Sequence, residues 1–292
     1  MTRPTWIGGV MLTRDVSLAD NDVRFVPLED QKSLDFCSVA HISRYTFAAQ
    51  LPGLFDKVLD FGCGSGYGAH ILTQCAGRVD AIDYSPTAIE YAKNTHVSDK
   101  LGYYVADATS AESLREVLGD TRYDLITSFD VIEHVDDYFS YLRNARDRLV
   151  AGGALVIGCP NRVQTFHWNN QWNPYHMQEF TPVQFRGVLS QYFSQVTLLS
   201  QDFSDDEKRE RARLSNRPKH VGVKNLVKHV VPGGVIRIMK QGRRAIHGQV
   251  AFEVSDIEFV EEPGSTALER AFGLLAICRN EELGNKRTWQ VF

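Results

Sequence analysis

The stretch "VLDFGCGSGYGAH", residues 58–70, places a short apolar run directly before a group of closely spaced glycines. The run ends in the acidic residue Asp60, and its length and composition predict a β-strand. Glycine-rich backbone after a strand predicts a tight turn that can approach a ligand closely. The glycines alone leave a dinucleotide site, a phosphate site, a nucleoside site and a purely structural turn open. The four positions are Gly62, Gly64, Gly66 and Gly68.

Acidic residues near this turn favour a nucleoside that carries a positive charge. Asp60 would repel a pyrophosphate and attract a cation, and no lysine follows the glycines as a phosphate loop requires. Asp83 ends the second predicted strand, where a carboxylate can accept both hydroxyl hydrogens of a ribose. Asp107 ends the third, within reach of an adenine amino group. Each acid alone is more often a helix cap or a surface residue, but together they indicate a nucleoside site.

The composition is that of a globular protein, with 292 residues, 43% hydrophobic residues and a formal net charge of -4. This length fits one large domain or a domain with an insertion. The negative charge argues against a general nucleic-acid-binding protein. The N-terminus lacks a signal-peptide pattern and no apolar run approaches roughly 20 residues, so we predict a cytoplasmic protein. Five widely spaced cysteines without a C-x-x-C pair predict buried thiols.

Short β-like runs alternate with helical segments, which predicts βαβ units and a parallel sheet covered on both faces. The segment "SPTAIEYAKNTH" opens with a serine and a proline, typical of an N-cap and a first turn. The segment "HVDDYFSYLRNARDRLVAGG" carries Phe139, Leu142 and Leu149 at helical spacing, and we expect its two final glycines to end that helix. The predicted strands span residues 57–61, 78–82, 102–105, 123–128, 154–158, 195–199 and 272–278.

We predict four parts in the chain: an N-terminal helical cap (1–50), a cofactor-binding core (51–200), an inserted segment (201–267), and the last strand with a tail (268–292). The cap rests on "DQKSLDFCSVAHISRYTFAAQL", a helical pattern before the first strand. The inserted segment contains a basic amphipathic stretch, residues 224–247. Such a stretch can contact an anionic membrane surface, grip a phosphorylated substrate or pack its apolar side on the core.

Through these motifs the sequence resembles the class I S-adenosylmethionine-dependent methyltransferases. "VLDFGCGSGYG" is similar to the family's first motif, "AIDYSPTAIEYA" to its acidic second strand, "VADAT" to its third and "YDLITSFDVIEHV" to its fourth. "LVAGGALVIGCPN" is similar to the segment around the fifth strand, and the resemblance resumes at "ALERAFGLLAICRN". It implies an α/β fold, a Rossmann-like seven-stranded methyltransferase sheet with an antiparallel last hairpin, and S-adenosyl-L-methionine as cofactor. With the predicted parts, the basic insertion falls between the sixth and seventh strands.

The resemblance also implies which residues hold the cofactor. The helix "HISRYTFAA" is similar to one that closes over the cofactor in many small-molecule members, which places Arg44 and Tyr45 near the methionine carboxylate. The other implied contacts are Gly62, Gly64 and Gly66 at the turn, Asp60 near the methionine, Asp83 at the ribose, Tyr84, Asp107 and Ala108 at the adenine, and Phe129 and Asp130 beneath the sulfonium.

Methyl transfer is an in-line displacement, so the enzyme has to align the acceptor and, for a hydroxyl, supply a general base. We predict His134, after the fourth strand, or His176, after the fifth, as that base. Alternatively, Glu133 and His134 only stabilise the start of the next helix, and His176 has a structural role beside Glu179. Aromatic faces suit sugar rings or flat acceptors. The predicted substrate-binding residues are His167, Trp168, Trp172, Tyr175 and Glu179.

No metal is predicted, and a site formed by His167, His176 and Glu179 is a lesser alternative. We predict O-methylation of a small-molecule hydroxyl, because "NPYHMQEFTP" is similar to a motif of methyltransferases in sugar, polysaccharide or natural-product biosynthesis. N- or carboxyl-methylation of a small molecule, a catalytically silent cofactor-binding protein and a dinucleotide oxidoreductase are the alternatives. "SFDVIEHV" lacks the Asn/Asp-Pro-Pro-Tyr/Phe pattern of nucleic-acid and protein amino-group methylases, so no nucleic-acid partner is predicted. Peripheral contact with the inner face of a membrane would involve residues 224–247.

Overall fold

A computed structural model of the chain describes residues 5–7, 10–12, 36–53, 55–164, 175–215, 253–261 and 264–280. Some predictions therefore lie outside the described residues. These are the roles of His167, Trp168 and Trp172, the side chain of Cys37, and the basic stretch 224–247.

Strands in the described part of the chain form a two-stranded and an eight-stranded sheet. The strands are β1 (Thr5–Ile7), β2 (Val10–Leu12), β3 (Phe55–Phe61), β4 (Ala76–Asp83), β5 (Leu101–Val105), β6 (Tyr123–Phe129), β7 (Leu149–Pro160), β8 (Gln195–Phe203), β9 (Ile257–Glu261) and β10 (Gly273–Arg279). β1 and β2 pair with each other. The large sheet has the order β5-β4-β3-β6-β7-β10-β8-β9, and its first five strands are parallel. β10 is antiparallel to β7 and β8, and β9 is antiparallel to β8.

Local capping signals set the starts of several helices. Ser85 accepts a hydrogen bond from the N–H of Ala88 at 3.2 Å, and a proline follows it, as the sequence predicts. No helix among the described residues is long and apolar enough to cross a membrane. The helices are α1 (Phe36–Ala49), α2 (Tyr67–Leu72), α3 (Pro86–Thr95), α4 (Ala111–Leu118), α5 (Tyr138–Asp147), α6 (Pro182–Leu189), α7 (Asp206–Ser215) and α8 (Ser265–Arg270), with a 3-10 turn at Val254–Asp256.

The large sheet has one strand more than the seven predicted. All seven predicted strands are present, and β9 is the additional one, paired with β8 from Phe203 opposite Ile257 to Leu199 opposite Glu261. The residues of β9 lie within the segment 201–267, which the sequence predicts to be an insertion. An edge strand of this kind is recognisable only from its partner.

Helix α5 ends earlier than predicted. We expected it to continue through Leu149 to the two glycines, but it ends at Asp147, and Leu149 instead begins β7 by pairing with the first residue of β6. Leu142 is buried as a helical spacing requires, whereas Phe139 is 45% exposed. Pairing with a distant strand therefore overrides the helical spacing at the end of this segment.

Four of the five cysteines, Cys63, Cys75, Cys159 and Cys278, are buried thiols, as predicted. Burial raises the pKa of Cys159 and Cys278, so these thiols stay protonated and unreactive.

The order of the strands places a crevice at one edge of the sheet. From β3 the chain adds β4 and then β5 on one side, and it next returns to add β6 on the other side of β3. In open α/β sheets, ligands bind outside the carboxyl ends of the strands where the order reverses in this way. The glycine turn follows β3 and Asp130 follows β6, so both lie at this position.

Asn161, directly after β7, connects the sheet to α8. It is fully buried, and its Nδ2 donates to the carbonyl oxygens of Leu268 at 2.7 Å and Ala271 at 2.8 Å.

We expect Asn161→Ala to lower the free energy of unfolding by about 2–3 kcal/mol, because both carbonyls lose their donor. Urea unfolding followed by circular dichroism measures this change. The control Asn94→Ala, at an exposed position of α3, should change it by less than about 0.5 kcal/mol. Equal effects of the two substitutions would contradict the assignment.

Candidate functional site

The turn after β3 has a backbone that only glycine tolerates. Gly62 has a φ of 93° and Gly66 a φ of 85°, both in the left-handed region. A Cβ on Gly62 would lie 2.5 Å from Cγ2 of Val131, and one on Gly66 would lie 2.6 Å from Cβ of Ala92. Conformation and space therefore both require glycine here, and the turn presents bare backbone at the crevice.

Asp83, the last residue of β4, holds this turn in place. Its Oδ2 accepts from the N–H of Gly64 at 2.8 Å, and its Oδ1 accepts from the N–H of Ser85 at 3.0 Å. A carboxylate oxygen has more than one acceptor site, so these bonds leave capacity for ribose hydroxyls. Tyr84, beside it, is 65% exposed. Asp83 thus has a structural role, and its contact with the ribose stays a prediction.

The predicted adenine-binding residues lie at the end of the neighbouring strand. Asp107 is exposed, and its Oδ1 accepts from the N–H and the hydroxyl of Thr109 at 2.8 and 2.7 Å. The carbonyl oxygen of Ala108 accepts from Nδ2 of Asn144 in α5 at 3.0 Å. Since β4 and β5 are paired up to Asp83, Asp107 and Ala108 belong to the same edge of the sheet as the ribose candidate.

Asp60 is wholly buried between α1, β3 and β6. Its carboxylate accepts from the hydroxyl of Thr127 at 2.9 Å and from the hydroxyl of Tyr45 at 3.2 Å. Burial raises the pKa of Asp60 to about 7, although the hydrogen bonds from Thr127 and Tyr45 oppose this shift. Burial also raises the pKa of Tyr45, so the phenol keeps its proton and remains a donor. The charge of Asp60 therefore changes near neutral pH.

Asp130, after β6, is the one non-glycine residue with a positive φ, 54°, in the described part of the chain. Its Oδ2 forms an ion pair with Nη1 of the buried Arg44 and lies 3.3 Å from Nδ1 of His41. Arg44 also donates through Nε to Oε1 of Gln201 at 2.7 Å. Burial alone would raise the pKa of Asp130, but Arg44 and then His41 hold it below its usual value. Asp130 is therefore ionised.

The carboxylates at the crevice are suited to a positively charged ligand. Oδ1 of Asp130 is buried and has no hydrogen-bond partner among the described residues, so it can accept from an ammonium group. Asp60 adds a second carboxylate. The ring of Phe129 packs edge-on against Tyr45, with centroids 4.8 Å apart.

Two loops meet beside Asp130: residues 131–137 after β6 and residues 175–181 before α6. The N–H of Met177 donates to the carbonyl oxygen of Glu133 at 2.7 Å, and Nε2 of Gln178 donates to that of Val135 at 2.8 Å. These bonds hold the two loops together. They bring a cluster of titratable side chains to the edge of the crevice.

Both candidate bases belong to this cluster. The rings of His134 and His176 have centroids 4.9 Å apart. Nδ1 of His134 lies 2.9 Å from the carbonyl oxygen of Tyr175, and Nδ1 of His176 lies 2.8 Å from Oε1 of Glu179. His134 is exposed, whereas His176 and Glu179 are buried. Four of the predicted acceptor-side residues are thus brought together.

Glu133 lies behind the histidines and is 1% exposed. Neither of its carboxylate oxygens has a hydrogen-bond partner among the described residues. Burial, followed by the charge of Asp130, raises the pKa of Glu133 well above its usual value. The sequence analysis gave Glu133 only a role at the start of the next helix.

Three residues of the site are not predicted from the sequence: His41, Thr127 and Gln201. His41 precedes Arg44 by three residues in α1, a spacing that places both on one helix face and was the available signal. Thr127 and Gln201 are polar residues in buried strands. A polar residue in such a strand indicates a hydrogen-bonded role, but the partner follows only from the fold.

The pKa of Asp60 predicts how stability depends on pH. An unfolded aspartate ionises near pH 4. The folded protein therefore holds one extra proton between about pH 4 and 7, and its stability falls as the pH rises through this interval. We expect Asp60→Asn to unfold at a higher temperature than the wild type at pH 8, with a difference that shrinks towards pH 4. Calorimetric melting across this range measures the effect.

Asp56→Asn is the matched control, because Asp56 is exposed at the other end of the same strand. It should follow the wild type at every pH. If Asp60→Asn does the same, the buried carboxylate does not titrate as described.

Comparison with known proteins identifies the family. A family model described as a methyltransferase domain matches residues 25–200, which is more than half of the chain. A Mycobacterium tuberculosis protein named a probable S-adenosylmethionine-dependent methyltransferase is 31% identical over 134 residues, 45% of this chain and 46% of the relative. A ubiquinone biosynthesis O-methyltransferase of Haemophilus ducreyi is 31% identical over 115 residues, 38% of this chain and 48% of the relative. The matches thus span about half the length of these relatives.

Among solved structures, a S-adenosylmethionine-dependent methyltransferase of Thermotoga maritima superposes with a TM-score of 0.52. The two sequences are 14% identical, and the superposition covers 83% of this chain and 90% of the Thermotoga maritima chain. The similarity therefore concerns the fold. The predicted Rossmann-like α/β fold is confirmed, with eight strands in place of seven. The chain belongs to the methyltransferase domain family, as a class I methyltransferase with S-adenosylmethionine as its cofactor.

Proposed function

We propose that the protein methylates a hydroxyl oxygen of a small molecule. The observation that carries this proposal is the cluster of His134, His176 and Glu179 beside Asp130, at the edge of the crevice. When bound, S-adenosylmethionine would supply a methyl group on a positively charged sulfur: an acceptor oxygen would bond to the methyl carbon as the carbon–sulfur bond breaks, and S-adenosylhomocysteine would leave. A hydroxyl must lose its proton to react in this way, and a histidine supported by a carboxylate can take it. Relatives named ubiquinone biosynthesis O-methyltransferases favour oxygen as the acceptor atom.

On the cofactor side, the chain's residues divide into those that contact the ligand and those that position them. Arg44 and Tyr45 are positioning residues, since their polar groups are bonded to Asp130 and Asp60. This assignment differs from direct contact with the methionine carboxylate, which the sequence suggested. The proposed contacts are Gly62, Gly64 and Gly66 at the turn, Asp83 at the ribose, Tyr84, Asp107 and Ala108 at the adenine, and Asp60, Phe129 and Asp130 at the methionine.

On the acceptor side, His176 is the proposed base. The carboxylate of Glu179, 2.8 Å from Nδ1 of His176, stabilises the imidazolium that forms when the ring takes a proton. Nδ1 of His134 lies beside the carbonyl oxygen of Tyr175, which supports a charged ring less strongly than a carboxylate does.

The proposed acceptor class is a sugar, a glycolipid-linked compound or an aromatic natural product. It is supported by the aromatic composition of residues 161–185, part of which lies outside the described residues. Contact of residues 224–247 with an anionic membrane is a separate proposal, supported by composition alone.

Methyl transfer from labelled S-adenosylmethionine to matched hydroxyl, amine and carboxylate acceptors tests the reaction. We expect O-methylated products from hydroxyl acceptors. Exclusive N- or carboxyl-methylation would contradict the proposal. Cofactor binding without product from any acceptor would favour a catalytically silent protein.

Asp83→Ala should weaken cofactor binding by about 1.5–3 kcal/mol, through the loss of charge-assisted hydrogen bonds to the ribose. Calorimetric titration with S-adenosylhomocysteine measures the affinity. Ser85→Ala is the control, because it removes the adjacent helix cap without touching the carboxylate. It should lower stability by about 1 kcal/mol and leave cofactor affinity unchanged. An Asp83→Ala variant that binds like Ser85→Ala would refute the ribose assignment.

His176→Gln should lower kcat by about 10²–10⁴-fold with a hydroxyl acceptor and leave cofactor affinity unchanged, because the proton loses its acceptor. His70→Gln, at an exposed histidine of α2, is the control and should retain wild-type kcat. A His176→Gln variant with the kcat of the control would place the base elsewhere.

A further inference from the structure

Three potential metal ligands converge on the acceptor side of the crevice. Glu133, His134 and His176 each offer one ligating atom, and these atoms all lie within 4.8 Å of one another. The ligands come from two loops, which the hydrogen bond from Met177 to the carbonyl oxygen of Glu133 joins. Their spacing is therefore set by the backbone and not only by side-chain rotamers.

Both histidines are oriented as metal-bound histidines are. The carbonyl oxygen of Tyr175 can only accept, so Nδ1 of His134 carries the hydrogen, and the neutral ring has its lone pair at Nε2. The carboxylate of Glu179 fixes the same tautomer in His176. Imidazole ligands typically donate their other N–H to a backbone carbonyl or a carboxylate in this way, which fixes the ring and increases its basicity.

Glu133 provides an independent indication of a bound cation. Its side chain is almost completely buried, and neither carboxylate oxygen has a hydrogen-bond partner among the described residues. An unpartnered buried carboxylate is destabilising, whereas a cation at this position would satisfy its oxygens and its charge together. Arg44 does not serve this purpose, because its Nη1 is paired with Asp130.

We propose that Glu133, His134 and His176 bind a divalent transition-metal ion that also coordinates the acceptor hydroxyl. Two imidazole nitrogens and one carboxylate favour ions such as Zn²⁺ or Fe²⁺ over Mg²⁺ or Ca²⁺. Three protein ligands leave coordination positions for the acceptor. The site differs from the alternative of His167, His176 and Glu179 that the sequence offers. Glu179 supports the ligand His176 instead of binding the ion, and His167 lies outside the described residues.

The inference rests on the proposed function and refines it. A hydroxyl bound to the ion loses its proton more easily, and that proton passes to solvent. His176 then acts as a ligand instead of a base.

Zinc binding by the full-length chain tests the site without any acceptor. After treatment with a chelator, the wild type should bind one Zn²⁺ per chain in a calorimetric titration and melt at a higher temperature with zinc. Glu133→Gln and His176→Gln should bind zinc at least 100-fold more weakly, and Glu179→Gln about 10–100-fold more weakly. His70→Gln, at an exposed histidine whose ring lies 5.6 Å from that of His96, should bind like the wild type.

Wild-type protein that binds no zinc at micromolar concentrations would overturn the proposal, as would Glu133→Gln and His176→Gln variants that bind like His70→Gln. Melting temperatures without zinc show whether each variant is folded, and Glu133→Gln is expected to match the melting temperature of the wild type or exceed it.

Measurements of methyl-transfer activity separate the two proposals. Zinc binding without O-methylated product refutes the proposed function alone, whereas product formation without zinc binding refutes the metal site alone.

Discussion

Hydrogen bonds to one buried carboxylate, that of Asp60, connect the three elements that form the crevice. The residue belongs to β3 and accepts hydrogen bonds from Tyr45 of α1 and Thr127 of β6. These bonds place α1 over the glycine turn, where the Tyr45 ring occupies space that a Cβ on Gly68 would fill, 2.0 Å from Cζ. The same burial raises the pKa of Asp60 to about 7. Asp60 therefore contributes both to the position of α1 and to the charge of the site.

Asp130 and Glu133 are close neighbours with opposite electrostatic environments. Arg44 lowers the pKa of Asp130, although burial opposes this effect, and leaves one oxygen available to the cofactor side. Glu133 has no such partner, and burial raises its pKa. Carboxyl groups whose environments separate their pKa values in this way are characteristic of functional sites. Here the separation coincides with the boundary between the proposed cofactor and acceptor sides.

The supporting contacts come from distant parts of the chain. Gln201 of β8 accepts from Arg44 and donates through Nε2 to the carbonyl oxygen of Ala40 at 2.8 Å. Gln201 of β8 thus fixes the position of α1, and Arg44 of α1 fixes that of Asp130 through their ion pair. These hydrogen bonds and this ion pair therefore set the position of Asp130 through residues far apart in the sequence.

The sequence by itself determined the strand, turn and helix around residues 58–70, and the acids at the ends of β4 and β5, because glycines, strand-end acids and helix caps are local signals. Tertiary structure decided the rest. β9 exists as a strand through its pairing with β8, and Leu149 leaves the helical pattern because β7 pairs with β6. His134 and His176 meet because backbone hydrogen bonds join two loops far apart in sequence. Each of these outcomes depends on contacts between distant residues, which no local pattern contains.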